Sequence, residues 1–252
     1  MNIHHQDRDI FPLTLAQFET LLEQNHSLSE IKNLLLESYT SGTEIANHNR
    51  SLDEITEPKN CPYQKFVGWL RNFIVRPNIL LGRSGSVCPY VSYSLKKELF
   101  FCAVYSGEFC QNTVEQNLLG YRDWFLELEV PTKQDAIFKT LVLLLPNLFS
   151  SDTSQFMKTI HTNLKTEFVT KGLMLGEFFP GYLQRSLWNS NFYPLSSPLP
   201  LFVIRYMVGN DYYFLKNDRL FFEAYLKFFR DKIPHNLEKL VKETAEDYQI
   251  KV

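Results

Sequence analysis

The chain is 252 residues long, 44% hydrophobic and 15% aromatic, which supplies a core for one large domain or two small ones. Its 26 Lys+Arg against 28 Asp+Glu leave a formal charge of -2. No broad positive field is available to draw phosphate backbones or anionic membranes, so nucleic acid and membrane are set aside as partners.

The opening MNIHHQDRDIFPLTL carries charges and a proline where a secretory signal needs an unbroken apolar core, and the expected location is cytoplasmic. A helix is predicted over residues 14–24. Ser27 and Glu30 form a capping box ahead of Leu28, Ile31, Leu34 and Leu35, which predicts a second helix over 28–39. The polar stretch TSGTEIANHNRSLDEITEPKN then reads as a surface loop. From Pro62, the residues Phe66, Trp69, Leu70, Phe73 and Ile74 lie on one helical stripe that stops at Arg76-Pro77, because the residue before proline avoids helical angles.

GRSGSVCPY follows at 82–90, with no clear helix after it, and LFFCAVY at 99–105 reads as a strand buried on both faces. Residues 112–128 return to helical period through Val114, Leu118, Tyr121 and Phe125. AIFKTLVLLLPNLF is broken by Lys139 and Pro146, short of the roughly 18 residues of a membrane span; it predicts a central strand. A helix over 152–171 is closed by Gly172, and LMLGEFF is the next strand. Residues 181–199 are irregular, PLFVIRYMV is a strand with Asp211–Leu215 as its hairpin partner, and two amphipathic helices cover 218–230 and 236–248. The expected fold is α+β: a mixed β-sheet with packed helices in one domain over 60–252, preceded by a helical N-terminal extension and polar loop over 1–59.

Chemistry-bearing residues are few. Cys61, Cys88, Cys102 and Cys110 include no C-x-x-C pair and no nearby histidine that would complete a zinc site, so Cys61, Cys102 and Cys110 read as packing residues. In GRSGSVCPY the glycines allow close backbone approach, Ser84 and Ser86 add hydroxyls, and Arg83 offers a planar fork for a carboxylate or phosphate. The P-loop and dinucleotide patterns are absent. Cys88 is either a buried thiol at the mouth of a turn or a nucleophile activated by its surroundings. His161 shares a largely apolar helix face with Met157, Leu164, Lys165 and Phe168, so its ring requires a partner: a protein acceptor or a metal such as haem iron. Arg205 is a charge inside an apolar strand and must either reach solvent or meet an anion, Asp211 or Glu177 within the chain or the carboxylate of a ligand.

Four ordered stretches, G-R-x-G-x-V-C-P-Y at 82–90, H-x-x-x-K at 161–165, G-L-M-x-G-x-F-x-P at 172–180 and P-L-x-V-I-R-x-M-V at 200–208, resemble a bacterial family of unknown function. Members of that family often sit among secondary-metabolite genes. It is in turn distantly similar to the YqcI/YcgG type, some of which are haem-dependent N-hydroxylases of amino-acid-like substrates. Cys88-Pro89 and the strand-helix order carry that second resemblance; the group's late P-x-H followed by arginines has no counterpart here.

The resemblance implies a haem-binding oxidative enzyme acting on a small amino-acid-like or secondary-metabolite substrate. His161 is then the iron ligand, Arg83 and Arg205 anchor propionates or a substrate carboxylate, and the Cys88 loop forms a pocket wall. Two further readings stand beside it: a non-catalytic ligand-binding or protein-interaction module, and a cofactor-independent enzyme pairing Cys88 as nucleophile with His161 as base. Assembly as a homodimer stays open.

Overall fold

The computed structural model of the protein describes residues 13–23, 62–105, 107–148 and 152–251. The predicted helix over 28–39, the following loop and Cys61 lie outside these residues.

Five strands form one mixed sheet: β1 (Leu13–Thr14), β2 (Phe100–Val104), β3 (Thr140–Leu144), β4 (Leu173–Phe178) and β5 (Leu201–Tyr206), in the order β1-β2-β3-β5-β4. β2 and β3 run parallel, joined through the helix α4 (Gln111–Glu127) that a parallel crossover needs, and every other pairing is antiparallel. The α+β expectation is met. Eight α-helices occur among the described residues: α1 (Leu15–Glu23), α2 (Pro62–Trp69), α3 (Val91–Lys96), α4, α5 (Thr153–Val169), α6 (Tyr212–Leu215), α7 (Arg219–Phe229) and α8 (Glu238–Asp247). None is long and apolar enough to cross a membrane.

Strand alternation sorts the core into two layers. Ala103, Leu141, Leu143, Leu173, Leu175, Phe202 and Ile204 point toward α4 and α5, where Leu118, Phe125, Met157 and Phe168 are fully buried. Cys102, Val104, Val142, Leu144 and Leu201 point the other way, onto Leu15 and Phe18 of α1, Phe66 of α2 and the turn of π-helix at Leu70–Ile74 that continues it. A third cluster joins α6, α7 and α8 through Tyr212, Leu215, Phe222, Tyr225 and Val241.

Three local expectations are corrected. Thr14 pairs with β2 in the edge strand Leu13–Thr14 and is not the first residue of the helix, which begins at Leu15. A short helix, α3, does follow GRSGSVCPY, with Val91 and Ser94 buried one turn apart. The hairpin partner of β5 is β4, because Asp211 lies in a 3₁₀ turn and Tyr212–Leu215 make one helical turn. Tyr212 and Leu215 bury together at helical spacing, which the apolar and aromatic content of the stretch disguised as a strand pattern.

Lys139, just ahead of β3, is buried in the core layer under α4. Its ammonium group donates to the carbonyls of Phe125 and Leu128, closing the carboxy-terminal end of α4, and sits 4.6 Å from the centroid of the Phe125 ring. Burial pushes its pKa down from the ordinary 10.5 to about 8. Between those two values the unfolded chain holds a proton that the folded chain has released, so this residue makes stability rise with pH across that window. Denaturant titrations from neutral pH to about pH 10 are expected to show a gain of roughly 1–3 kcal/mol in the parent protein that is missing from Lys139→Met.

Candidate functional site

The GRSGSVCPY segment is a pinched loop. Pro77 and Ser86 form an antiparallel bridge at its neck, Val87 N–H donates to the Arg76 carbonyl at 3.1 Å, and Cys88 N–H donates to the Ile74 carbonyl at 3.0 Å. Two positions explain the glycines. Gly82 has φ +76° and a Cβ there would come within 2.9 Å of Trp188 Cβ; Gly85 has φ +89° at the tip. Arg83 folds back on this loop, donating to the carbonyls of Ser84 and Val87 at 3.0 Å each, so its fork braces the turn. Cys88 is half-buried against the α1–α2 layer.

Arg205 on β5 faces that same layer, as its neighbour at even spacing, Val203, does. Its guanidinium meets Asp211 end-on, Nη1 to Oδ2 and Nη2 to Oδ1 at 2.7 Å each, and Nη1 also donates to the Tyr206 carbonyl at 3.0 Å. Asp211 is 2% exposed and its Oδ2 also accepts the N–H of Val208 at 2.7 Å. Burial opposes the charge on Arg205, but the Asp211 carboxylate outweighs it and holds the pKa above the usual arginine value, with smaller contributions from Cys88 and Tyr90. Tyr90 is pushed up by burial and pulled back by Arg205, so the phenol, the thiol and the guanidinium lie within electrostatic range of one another. Three of the five N–H donors of Arg205 are used; the Nε–H and the second Nη2–H, a parallel pair along one edge, meet no acceptor among the described residues.

His161 belongs to the opposite layer. It projects from α5 toward β4, where Glu177 shares the inward parity of Leu173 and Leu175. Nδ1 lies 3.3 Å from Glu177 Oε2, and the Tyr182 hydroxyl donates to Glu177 Oε1 at 2.7 Å. Burial lowers the pKa of His161; Glu177 and the Leu175 carbonyl raise it, Lys165 lowers it, and the balance falls below the ordinary imidazole value. Burial first, and then the bond to Glu177, keep the Tyr182 phenol protonated far above its ordinary range. Lys158 lies over the Tyr182 ring at 5.3 Å, and Lys165 lies over Phe221 at 4.7 Å with its Nζ 3.3 Å from the Phe214 carbonyl.

The four residues singled out in the sequence therefore do not share a pocket. Cys88 and Arg205 lie within electrostatic range of each other, Arg83 braces the loop that carries Cys88, and His161 pairs with Glu177 on the far side of the sheet. A single porphyrin cannot take its iron ligand from one face of a β-sheet and its propionate anchors from the other. The apolar companions of His161 on α5, Met157, Leu164 and Phe168, are closed into the core at 0%, 4% and 0% exposure and present no free slot for a macrocycle. The expected haem arrangement does not fit these residues, and the pairing of Cys88 with His161 as nucleophile and base fails for the same reason. No group of three or more His, Cys, Asp or Glu suited to a metal ion occurs among the described residues. A hollow of about 290 Å³ bordered by Thr14, Glu19, Arg71, Lys96 and Phe100 lies on other elements.

Asp211 was legible as the partner of Arg205. Glu177, the other partner expected for Arg205, belongs to His161, and Tyr90 and Tyr182 carried no signal beyond their aromatic character.

Two expectations follow from this geometry. Asp211→Asn leaves a largely covered guanidinium short of its anion and should cost about 2–3 kcal/mol in a denaturant titration, most of it regained in Arg205→Leu/Asp211→Asn. Glu177→Gln removes the charge that raises His161, so the imidazole pKa read by NMR should fall further; an unchanged or higher value would contradict the pairing.

The comparisons extend this picture in one direction. No curated protein and no solved structure matches the chain. Residues 63–240 match the model of a family described as a domain of unknown function, DUF6875. That match takes in β2 to β5, the Cys88 loop and both polar clusters, and on this basis the chain belongs to the DUF6875 family.

Proposed function

We propose that the protein is a ligand-binding module for a small carboxylate-bearing molecule, held against the free edge of Arg205 beside Cys88 and Tyr90. The observation that supports this most directly is the division of the guanidinium. Asp211 takes its end-on face and fixes the plane, while the Nε–H and Nη2–H remain as a parallel donor pair, the spacing a planar carboxylate accepts bidentately. The side chain is 29% exposed, so solvent reaches part of it.

Charge supports the same reading. Residues 178–210 contain no Asp or Glu, and neither do residues 62–97, so the segments around Arg205 supply no second carboxylate to occupy the edge. Fixing the fork before the ligand arrives lowers the ordering cost of binding. A phenol raised by burial, as Tyr90 is, stays protonated at neutral pH and remains available as a further donor.

Acetate, benzoate and L-arginine serve as probes, with alkylation of Cys88 followed by mass spectrometry and heat followed by calorimetry. At least one of them is expected to slow Cys88 alkylation and to bind about tenfold or more weakly to Arg205→Lys, which keeps a cation for Asp211 but lacks the second edge. Binding of equal strength in a folded Arg205→Lys, or a Cys88 thiol indifferent to every probe, would remove the proposal.

A further inference from the structure

The pinched loop and the irregular stretch 181–199 meet on the surface. The Asn189 side-chain amide donates to the Leu80 carbonyl at 2.7 Å, and the backbone of Gly82 packs directly on Trp188. Large apolar side chains gather at this junction and face solvent: Ile79 is 97% exposed, Leu80 51%, Trp188 55% and Leu187 47%. One exposed leucine means little, but four adjacent large side chains on two tethered segments mark a contact surface. They are not loosely held. Asn78 caps the turn at Ile79–Leu81 by accepting the Leu80 N–H, and Trp188 stands edge-on to Tyr213 at 5.8 Å.

The charges on the two segments that supply them are of one sign. Arg76 and Arg83 flank Ile79 and Leu80, Arg185 precedes Trp188 by three positions, and all three are exposed. The segments that supply these residues, 62–97 and 178–210, hold no carboxylate, in a chain whose overall charge is -2. The surface therefore joins apolar anchors to an unbalanced cationic rim.

We infer that this surface docks an acidic amphipathic segment of a partner protein, its apolar side chains seated on Ile79, Leu80 and Trp188 and its carboxylates meeting Arg76, Arg83 and Arg185. Charge complementarity selects this occupant over a second copy of the chain. A two-fold contact through this face would bring the same arginines against each other with no acid to relieve them. The inference stands apart from the ligand edge of Arg205, which this surface does not include.

The probe is a synthetic amphipathic peptide of roughly 18 residues, about five helical turns, with leucine on one face and glutamate on the other, titrated into the full chain. Trp188 is the most exposed of the described tryptophans, so its emission should shift to the blue as the peptide covers it. Ile79→Asp, at a side chain with almost no contacts to lose, should weaken binding about tenfold or more with the circular dichroism spectrum unchanged. Arg83→Glu or added salt should weaken it as well. The same peptide with lysine in place of glutamate should not bind. Four results would each overturn the inference: no emission change with the acidic peptide, equal affinity for the lysine peptide, affinity for phosphatidylglycerol vesicles alone, or a dimer in solution that Ile79→Asp dissolves.

Discussion

A guanidinium in the middle of an apolar strand has to be answered by an anion, and in this protein the answer comes from six residues further along the chain. Asp211 closes on Arg205 with two short hydrogen bonds and accepts a third from the N–H of Val208. The chain leaving β5 is held there in a 3₁₀ turn, and the turn delivers Tyr212 and Leu215 into the third core cluster. The helical pair α7 and α8 is docked behind this corner through Tyr225, whose hydroxyl donates to the Gly209 carbonyl, and Tyr212, whose hydroxyl bonds to Thr244. A buried ion pair of this kind adds little net stability relative to an apolar replacement, so its effect here is on direction: it specifies where the chain turns.

The second constraint is the sheet itself. With a side-chain period of two, residues one apart in a strand belong to different compartments. Glu177 and Arg205 lie on paired neighbouring strands, yet one faces α5 and the other faces the Cys88 loop. The four motifs read from the sequence consequently fall into two pairs. The stretch 82–90 meets 200–208 on one face, and 161–165 meets 172–180 on the other. Proximity in the order of the motifs is no guide to this sorting; parity along each strand is.

Much of the fold was legible because periodicity is a local property. The stripes of α4 and α5, the continuous apolar runs of β2 and β3 and the irregularity of 181–199 each follow from side chains within a few residues of one another. What escaped was decided at long range or by competition. Thr14 joins a strand because β2 offers it an edge; Asp211 turns the chain because Arg205 is there. In the candidate site, the need of Arg205 for an anion could be read from one strand, and its partner within the chain narrowed to Asp211 or Glu177. The separation of His161 from Cys88 could not, since it depends on which face each element presents to a sheet whose strand order runs β3-β5-β4 against the sequence.

One small contact bears on how the molecule behaves in company. The register of β4 with β5, with Met207 N–H on the Gly172 carbonyl, turns the backbone groups of Leu175 outward from the sheet. A sheet margin left open invites extra strands from neighbouring molecules. Here Leu173 and Leu175 are buried, and the chain beyond β4 is bridged to Ser196. With those residues covered, a neighbouring molecule in a crowded solution meets little free backbone there to extend.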